Sequence, residues 1–185
     1  MRPLLRAGGV AALCLALLLP GGCIHTPAVS PRPDHWAQPV EADKLPNLHR
    51  VTKDLYRSAQ PRDEAYSEAH QMGIKTVVNL RPGAGPAKSA RDRDPEVINI
   101  PVHTGNPSYE EARRFFEIVD DPSKRPVLLH CYHGADRTGA FTALYRINRE
   151  GWSTEDAITE MTGGGYNFHS MWIDLADWVR KAPKF

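Results

Sequence analysis

Residues 130–138, HCYHGADRT, decide the fold of this chain. They place a thiol, a glycine and an arginine between a short apolar run, residues 126–129, and a stretch with helical periodicity, residues 140–145. A strand, a tight loop and a helix N-terminus together form a natural anion site, because unpaired backbone N–H groups converge there and the helix dipole favours negative charge. We therefore expect the loop to bind a tetrahedral oxyanion, with Cys131 ionised at its centre.

The order His-Cys, five residues, Arg-Thr resembles the phosphate-binding loop of the cysteine-dependent protein phosphatases, the tyrosine and dual-specificity group. The resemblance implies that Cys131 is the nucleophile that forms a phosphocysteine. It implies that Arg137 grips two phosphate oxygens bidentately, which lysine cannot do. By the same resemblance, Thr138 steadies the thiolate when it leaves and His130 orients the loop. Gly134 gives the backbone the freedom to turn its N–H groups inward.

The remaining loop positions are expected to line the phosphate pocket, namely Tyr132, His133, Gly134 and Ala135. His133 either adds positive charge to the pocket or lies on its rim in solvent, and both interpretations stay open. A zinc site built from His130, Cys131, His133 and His169 is not expected, because an adjacent His-Cys pair in an anion loop lacks ordinary ligand spacing. We predict no metal and no cofactor.

Two further stretches resemble motifs in a subgroup of small bacterial, plant and fungal atypical dual-specificity-like phosphatases. They are LYRSAQP, residues 55–61, and VVNLR, residues 77–81. With the loop, the resemblance extends from about Asn47 to the C-terminus. Arg57 and Arg81 stand at strand ends, where they would flank the phosphate pocket. Surface ion pairing is the alternative for both.

Short apolar runs alternate with helical patterns through residues 47–185. This alternation predicts one α/β domain, with a central, mostly parallel sheet of about four to five strands flanked by helices. Ligands are then expected at the carboxyl ends of the strands. Ser108 and Ser153 are expected to begin helices, Ser108 in a capping box with Glu111.

The proton donor for the leaving group is not evident. Phosphatases of this group usually carry an aspartate on a mobile loop before the nucleophile, but residues 100–107, IPVHTGNP, contain no carboxylate. Asp136 is the first candidate, since it resembles the in-loop aspartate to which myotubularin-type lipid phosphatases assign this role. The alternative is that Asp136 only braces the loop. His103 is the second candidate, and Asp92 and Asp94 are the third.

The N-terminus resembles a targeting segment rather than part of the domain. Residues 1–22 combine a basic start, an apolar middle and the small pair Gly21-Gly22, as a secretory signal does. Cys23 then resembles the acylated cysteine of a bacterial lipobox, although Pro20 stands where leucine is typical. We expect an extracytoplasmic protein, either a membrane-anchored lipoprotein or a soluble periplasmic one. The proline-rich residues 23–46 predict an extended tether.

The predicted function is a metal-independent phosphomonoesterase of the tyrosine or dual-specificity type, acting on a phosphorylated protein. An inositol phosphate or phosphoinositide phosphatase, a sulfur transferase of the rhodanese kind and a catalytically weak phospho-ligand binding module are the alternatives. The net charge of +1 and the lack of interleaved basic and aromatic residues argue against a nucleic-acid partner. Cys131 is the only one of three cysteines inside the domain, so no disulfide is expected there, and we expect a monomer.

Overall fold

The computed structural model describes residues 25–83 and 95–185. Within these ranges the strands are β1 (Gln38–Pro39), β2 (His49–Arg50), β3 (Leu55–Ser58), β4 (Thr76–Asn79), β5 (Glu96–Asn99) and β6 (Val127–His130). The helices are α1 (Ala65–Gln71), α2 (Tyr109–Asp120), α3 (Asp136–Arg149), α4 (Thr154–Gly163) and α5 (Asp174–Arg180). None of these helices is long and apolar enough to cross a membrane.

The six strands form one sheet in the order β1-β2-β3-β6-β4-β5. Strands β3, β6, β4 and β5 are parallel to one another, whereas β1 and β2 are antiparallel additions at one edge. The predicted single α/β domain with a mostly parallel sheet is confirmed. The sheet has six strands rather than four to five, because β1 and β2 are only two residues long and carry no apolar run that would reveal them.

Strand β6 lies in the middle of the sheet and is buried on both faces. Val127 and Leu129 belong to the larger apolar cluster, which includes residues of α2, α3, α4 and α5. Leu128 belongs to a smaller cluster that includes residues of α1. Successive side chains of a strand point to opposite faces, so the two clusters hold β6 from both sides. The residue that follows β6, Cys131, is therefore fixed at the centre of the carboxyl edge.

The helix boundaries follow local capping chemistry. Ser108 Oγ accepts a hydrogen bond from Glu111 N at 3.3 Å, and Glu111 Oε2 accepts one from Ser108 N at 2.7 Å, which confirms the capping box. Ser153 Oγ accepts a bond from Asp156 N at 3.1 Å at the start of α4. The C-terminal helical stretch is divided: residues 170–172 form a 3₁₀ turn and α5 begins only at Asp174.

Residues 25–46 pack against the domain and are not the extended tether that their proline content predicts. Thr26 N donates to Phe168 O at 2.9 Å, and Val29 N donates to Gly163 O at 2.8 Å. Trp36 is only 6% exposed. The segment buries apolar surface and satisfies backbone groups on the chain after α4, which outweighs the intrinsic stiffness of its prolines. The folded unit therefore begins before the predicted boundary at residue 47.

A buried ion pair joins this N-terminal segment to the helices. Glu160, 1% exposed, binds Arg146 Nε at 2.8 Å and accepts hydrogen bonds from Ala37 N at 2.6 Å and Tyr166 Oη at 3.0 Å. Burial by itself would raise the pKa of Glu160, but the guanidinium of Arg146 holds that pKa below its ordinary value. Every oxygen of the carboxylate is thus engaged, as a buried charge requires.

Candidate active site

The loop of residues 131–135 connects the end of β6 to the start of α3. Cys131 is a free cysteine and is 1% exposed. Gly134 and Ala135 are buried as well, whereas Tyr132 and His133 are exposed. The sequence-predicted loop residues are therefore brought together at the carboxyl edge of the sheet, with the sulfur on its floor.

The backbone of Gly134 lies too close to β3 for any other residue. Its φ is +69°, and a Cβ atom built there would lie 2.4 Å from the carbonyl carbon and oxygen of Ser58. The same Cβ would lie 2.6 Å from Ala59 N. Glycine is the residue that reaches this φ and this separation without strain. The tight loop therefore depends on Gly134.

The carbonyl groups of the loop are bound from outside it. Tyr132 O accepts a bond from Gln60 N at 3.1 Å, and Gly134 O accepts one from Arg57 Nη2 at 2.7 Å. In a planar trans peptide the N–H group points away from the carbonyl, so the N–H groups of the next residues face the other side. These contacts favour a cup of inward N–H groups at the N-terminus of α3, where the helix dipole adds positive potential.

Buried polar atoms without partners cluster around this cup. Arg137 Nε, Thr138 Oγ1 and His130 Nε2 make no hydrogen bond within residues 25–83 and 95–185. Among the described residues, Arg137 donates to Val102 O alone, from Nη1 at 3.3 Å. Because buried polar groups are almost always satisfied, such a concentration indicates that a ligand completes the site. Two donor groups, one of them cationic, beside a loop of N–H groups fit an oxyanion.

His130 is neutral in the fold. Its side chain is fully buried and its Nδ1 lies 3.1 Å from the carbonyl oxygen of Cys131. Burial lowers the pKa of His130 to about 4. The ring is therefore placed to hold the backbone at the nucleophile, which agrees with the orienting position that the motif implies.

Arg57 does not line the cavity beside the loop, and it makes no ion pair with the residues that the structure describes. It is 1% exposed and lies behind the loop, with its guanidinium 3.6 Å from the centre of the Tyr166 ring. Burial lowers the pKa of Arg57. Because it donates to Gly134 O, its contact supports the loop from below. The sequence places this arginine at the right strand end, but its direction depends on packing against Tyr166.

Arg81 does lie beside the pocket. Its guanidinium donates to Gln60 Oε1 and lies 5.1 Å from the centre of the Tyr132 ring. All three residues line a cavity of about 1080 Å³ that borders the loop. Tyr132 is 56% exposed. An exposed aromatic ring and a cation beside the anion cup can contact the part of a substrate that carries the phosphate.

Among the candidate proton donors, Asp136 is held by a residue that sequence reasoning considered only as a zinc ligand. Asp136 Oδ1 accepts a bond from His169 N at 2.9 Å, and Oδ2 lies 2.9 Å from His169 Nδ1. Both residues are largely buried. His103 is exposed. Asp92 and Asp94 lie outside the described residues, as do the predicted signal and Cys23.

His133, Asp136 and His169 offer ligand atoms within 4.8 Å of one another. This is a metal-ligand composition, and it differs from the set that the sequence suggested. Both carboxylate oxygens, however, already accept hydrogen bonds from His169. The arrangement is that of an Asp–His pair beside the exposed ring of His133, whose centre is 4.9 Å from that of His169. No sequence signal links Asp136 to His169, because loop packing alone brings them together.

The fold and the site together define a cysteine-dependent phosphatase. The family model described as DSP-PTPase phosphatase fused to NAD+ Kinase matches residues 38–174. The chain belongs to this family of dual-specificity-type phosphatases. It is 33% identical over 178 residues to the dual specificity protein phosphatase TpbA of Pseudomonas aeruginosa strain UCBPP-PA14, which covers 92% of this chain and 78% of that protein.

Solved structures agree with this assignment. The crystal structure of P. aeruginosa TpbA superposes with a TM-score of 0.70 at 32% identity, covering 81% of this chain and 92% of TpbA. The catalytic core of the PP-IP phosphatase SIW14 from Saccharomyces cerevisiae superposes with a TM-score of 0.65 at 20% identity, covering 77% and 89% of the two chains. The second comparison bears on the fold only. The protein is an enzyme, a phosphoric monoester hydrolase of the cysteine phosphatase type.

Proposed function

We propose that the protein hydrolyses phosphotyrosine and related phosphomonoesters in proteins, with Cys131 as the nucleophile. Cys131 Sγ attacks phosphorus and the alcohol leaves, forming a phosphocysteine that water then hydrolyses. Arg137 and the loop N–H groups stabilise the charge on the equatorial oxygens, and Thr138 steadies the departing thiolate. The burial of Cys131, together with the donors Arg137 Nε and Thr138 Oγ1 that find no partner among the described residues, is the observation that carries the proposal.

Phosphotyrosine is favoured as substrate by two observations. The TpbA relative has been solved in complex with pTyr, at 32% identity to this chain. In this chain, the exposed ring of Tyr132 and the cation of Arg81 lie together at the cavity beside the loop. An aromatic ring and a guanidinium can hold a phenyl ester by stacking and by cation–π contact.

An inositol phosphate is the second candidate, and the cavity composition supports it. Lys44, Arg62 and Arg81 all line the cavity of about 1080 Å³, so cations are available for further phosphate groups. A relative at 27% identity over 124 residues is the inositol diphosphatase SIW14 of S. cerevisiae. Asp43, Asp63 and Glu64 line the same cavity and offset this positive charge.

The test is a substrate panel of phosphotyrosine peptides, phosphoserine peptides and inositol phosphates, with p-nitrophenyl phosphate as reference. The Cys131→Ser variant should lose turnover and still bind vanadate, because the loop remains intact. Turnover that survives in this variant would disprove the mechanism. Thiosulfate as donor tests sulfur transfer, and absence of any phosphatase activity would leave a binding module.

We also propose that the protein is exported and anchored by lipid at Cys23. Residues 1–22 and the small pair before Cys23 support this proposal. His25, two residues later, already pairs with His169 at the active site. Two residues span at most about 7 Å, so an anchor at Cys23 would hold the catalytic face close to the membrane surface.

Metabolic labelling with a fatty acid should mark the wild type and not Cys23→Ser; a labelled variant, or an unlabelled wild type, would contradict the anchor.

We propose that the enzyme is a monomer with no nucleic-acid partner. The near-zero net charge supports the absence of a nucleic-acid partner. Light scattering of the purified protein tests the monomeric state, and a mass twice that of the single chain would contradict it.

A further inference from the structure

The proton donor of this site has to be found outside the usual position. Residues 100–107 occupy the chain stretch where the related phosphatases carry their acid, and they contain no carboxylate. In the described part of the chain, the titratable residues gathered at the loop are Asp136, His133 and His169, with His25 next to the last. His103 is exposed, and Asp92 and Asp94 lie outside the described residues, so these groups are the donor candidates that the structure describes at the loop. The donor has to release a proton to the leaving oxygen and recover it from water.

Asp136 is poorly suited to donate that proton itself. Its two oxygens accept hydrogen bonds from the backbone N–H and the ring of His169. Both carboxylate oxygens are thus paired with His169, and the side chain is fixed against that residue rather than free to turn towards a leaving oxygen.

The same contacts prepare His169. With Nδ1 directed at Asp136 Oδ2, 2.9 Å away, the ring is fixed in one orientation and its tautomer is set. His169 Nε2 makes no hydrogen bond to any described residue, so it stays available to a substrate or to water. An Asp–His pair of this kind supplies and removes protons without any change in the charge of the aspartate.

His133 and His25 flank the ring without replacing it. Their ring centres lie 4.9 Å and 4.7 Å from that of His169, and neither ring is hydrogen-bonded to a carboxylate of residues 25–83 or 95–185. Burial, followed by repulsion from His169, lowers the pKa of His133. The ring of His133 is therefore protonated near neutral pH less often than that of a free histidine. His25 Nδ1 instead donates to Asn167 O at 3.1 Å.

We propose that His169 is the general acid and base of this phosphatase and that Asp136 is the residue that positions it. This inference rests on the proposed phosphocysteine mechanism. In the first step the Cys131 Sγ–P bond forms, the P–O bond to the alcohol breaks, and the His169 Nε2 proton passes to the leaving oxygen. In the second step neutral Nε2 takes a proton from water, whose oxygen bonds to phosphorus as the S–P bond breaks. The thiolate, the imidazolium and phosphate are the products.

The experiment compares leaving groups in three variants, His169→Gln, Asp136→Asn and His70→Gln. His169→Gln should lower kcat on a phosphoserine peptide by about 100-fold, the low end of what acid–base catalysis contributes, and change kcat on p-nitrophenyl phosphate far less. Asp136→Asn should show the same pattern to a smaller degree. His70→Gln changes an exposed histidine of α1 outside the site, and it should match the wild type on both substrates.

Two further readouts separate catalysis from loop support. On the poor leaving group, the pH dependence of kcat that the wild type shows should be absent from His169→Gln. Added imidazole should restore part of the activity of His169→Ala. The variants should keep the wild-type affinity for vanadate and the wild-type thermal midpoint. Both measurements together would exclude damage to the loop.

Three results would overturn the proposal. One is His169→Gln with the wild-type dependence on the leaving group, combined with loss in Asp136→Asn, which would make Asp136 the donor. Another is a kcat that depends steeply on the leaving group in His133→Gln but not in His169→Gln, which would make His133 the donor. The third is a decline in kcat with pH that persists in His169→Gln. Each of these leaves Cys131→Ser inactive, so failure of the His169 assignment is distinguishable from failure of the phosphocysteine mechanism.

Discussion

Replacing Gly134 by alanine tests whether the tight loop is what makes the site. The added Cβ would lie 2.4 Å from the Ser58 carbonyl atoms, whereas real Cβ contacts of this kind are not closer than 3.0 Å. The loop must therefore move by at least about 0.6 Å away from β3, and it cannot push the strand, which is paired on both sides. Displacements near 1 Å in a catalytic constellation cost about 100-fold in rate. Alanine at a φ of +69° adds about 1 kcal/mol of backbone strain.

Gly151→Ala is the matched control, because Gly151 has a φ of +71° with no atom within 4 Å of an added Cβ. Alanine at this position has the same backbone strain, but its Cβ atom meets no neighbouring atom. The assay is kcat/KM on p-nitrophenyl phosphate, with urea unfolding of both variants. We expect Gly134→Ala to lose at least about 100-fold in kcat/KM, and Gly151→Ala to keep wild-type activity while losing about 1 kcal/mol of stability. If both variants are equally active, the close contact between loop and β3 does not set the site.

Three other outcomes are expected. Glu160→Gln should lower the free energy of unfolding by up to about 3 kcal/mol in urea, because it removes one of the two carboxylates that pair with the buried guanidinium of Arg146 and leaves Glu150 as the other; exposed Glu155→Gln should cost under about 1 kcal/mol, and equal costs would contradict the role of burial. Burial holds the pKa values of His49 and His130 at about 4, below those in the unfolded chain. The unfolded chain then binds more protons, so stability is full above about pH 6.5 and falls towards pH 4, and a urea midpoint unchanged between pH 7 and 5 would refute this. Arg81→Gln should reduce kcat/KM about tenfold on a phosphotyrosine peptide and on p-nitrophenyl phosphate, through loss of one cation–π contact with the phenyl ring, but not on a phosphoserine peptide; an equal effect on the phosphoserine peptide would remove Arg81 from recognition of the aromatic ring.

Much of the central fold was predictable because its signals are local. An apolar run of four residues, a glycine and a helical pattern around residues 130–138 specify strand, turn and helix in order, and the structure has β6, the loop and α3 there. The capping box at Ser108 is equally local, since both partners lie within three residues of each other. Parallel pairing then follows from the alternation of strands and helices.

Other elements were not predictable, because long-range packing decides them. The proline content of residues 25–46 predicts a tether. In the structure, however, Trp36 is buried and Ala37 N donates to Glu160, a residue more than one hundred positions further along the chain. Strands of two residues, such as β1, have no periodicity to detect. Arg57 carries no sign in its sequence neighbourhood that its guanidinium will turn inward over Tyr166.

The sequence by itself determined the nucleophile loop, because thiol, glycine, arginine and hydroxyl must follow one another closely to surround one anion, and that order is written along nine consecutive residues. Only the tertiary structure decided what supports and completes the loop. Arg57 beneath it and His169 beside it come from chain segments 77 and 33 residues distant from the groups they contact. Their positions result from how the helices and loops pack against the sheet, and no local pattern encodes such a contact.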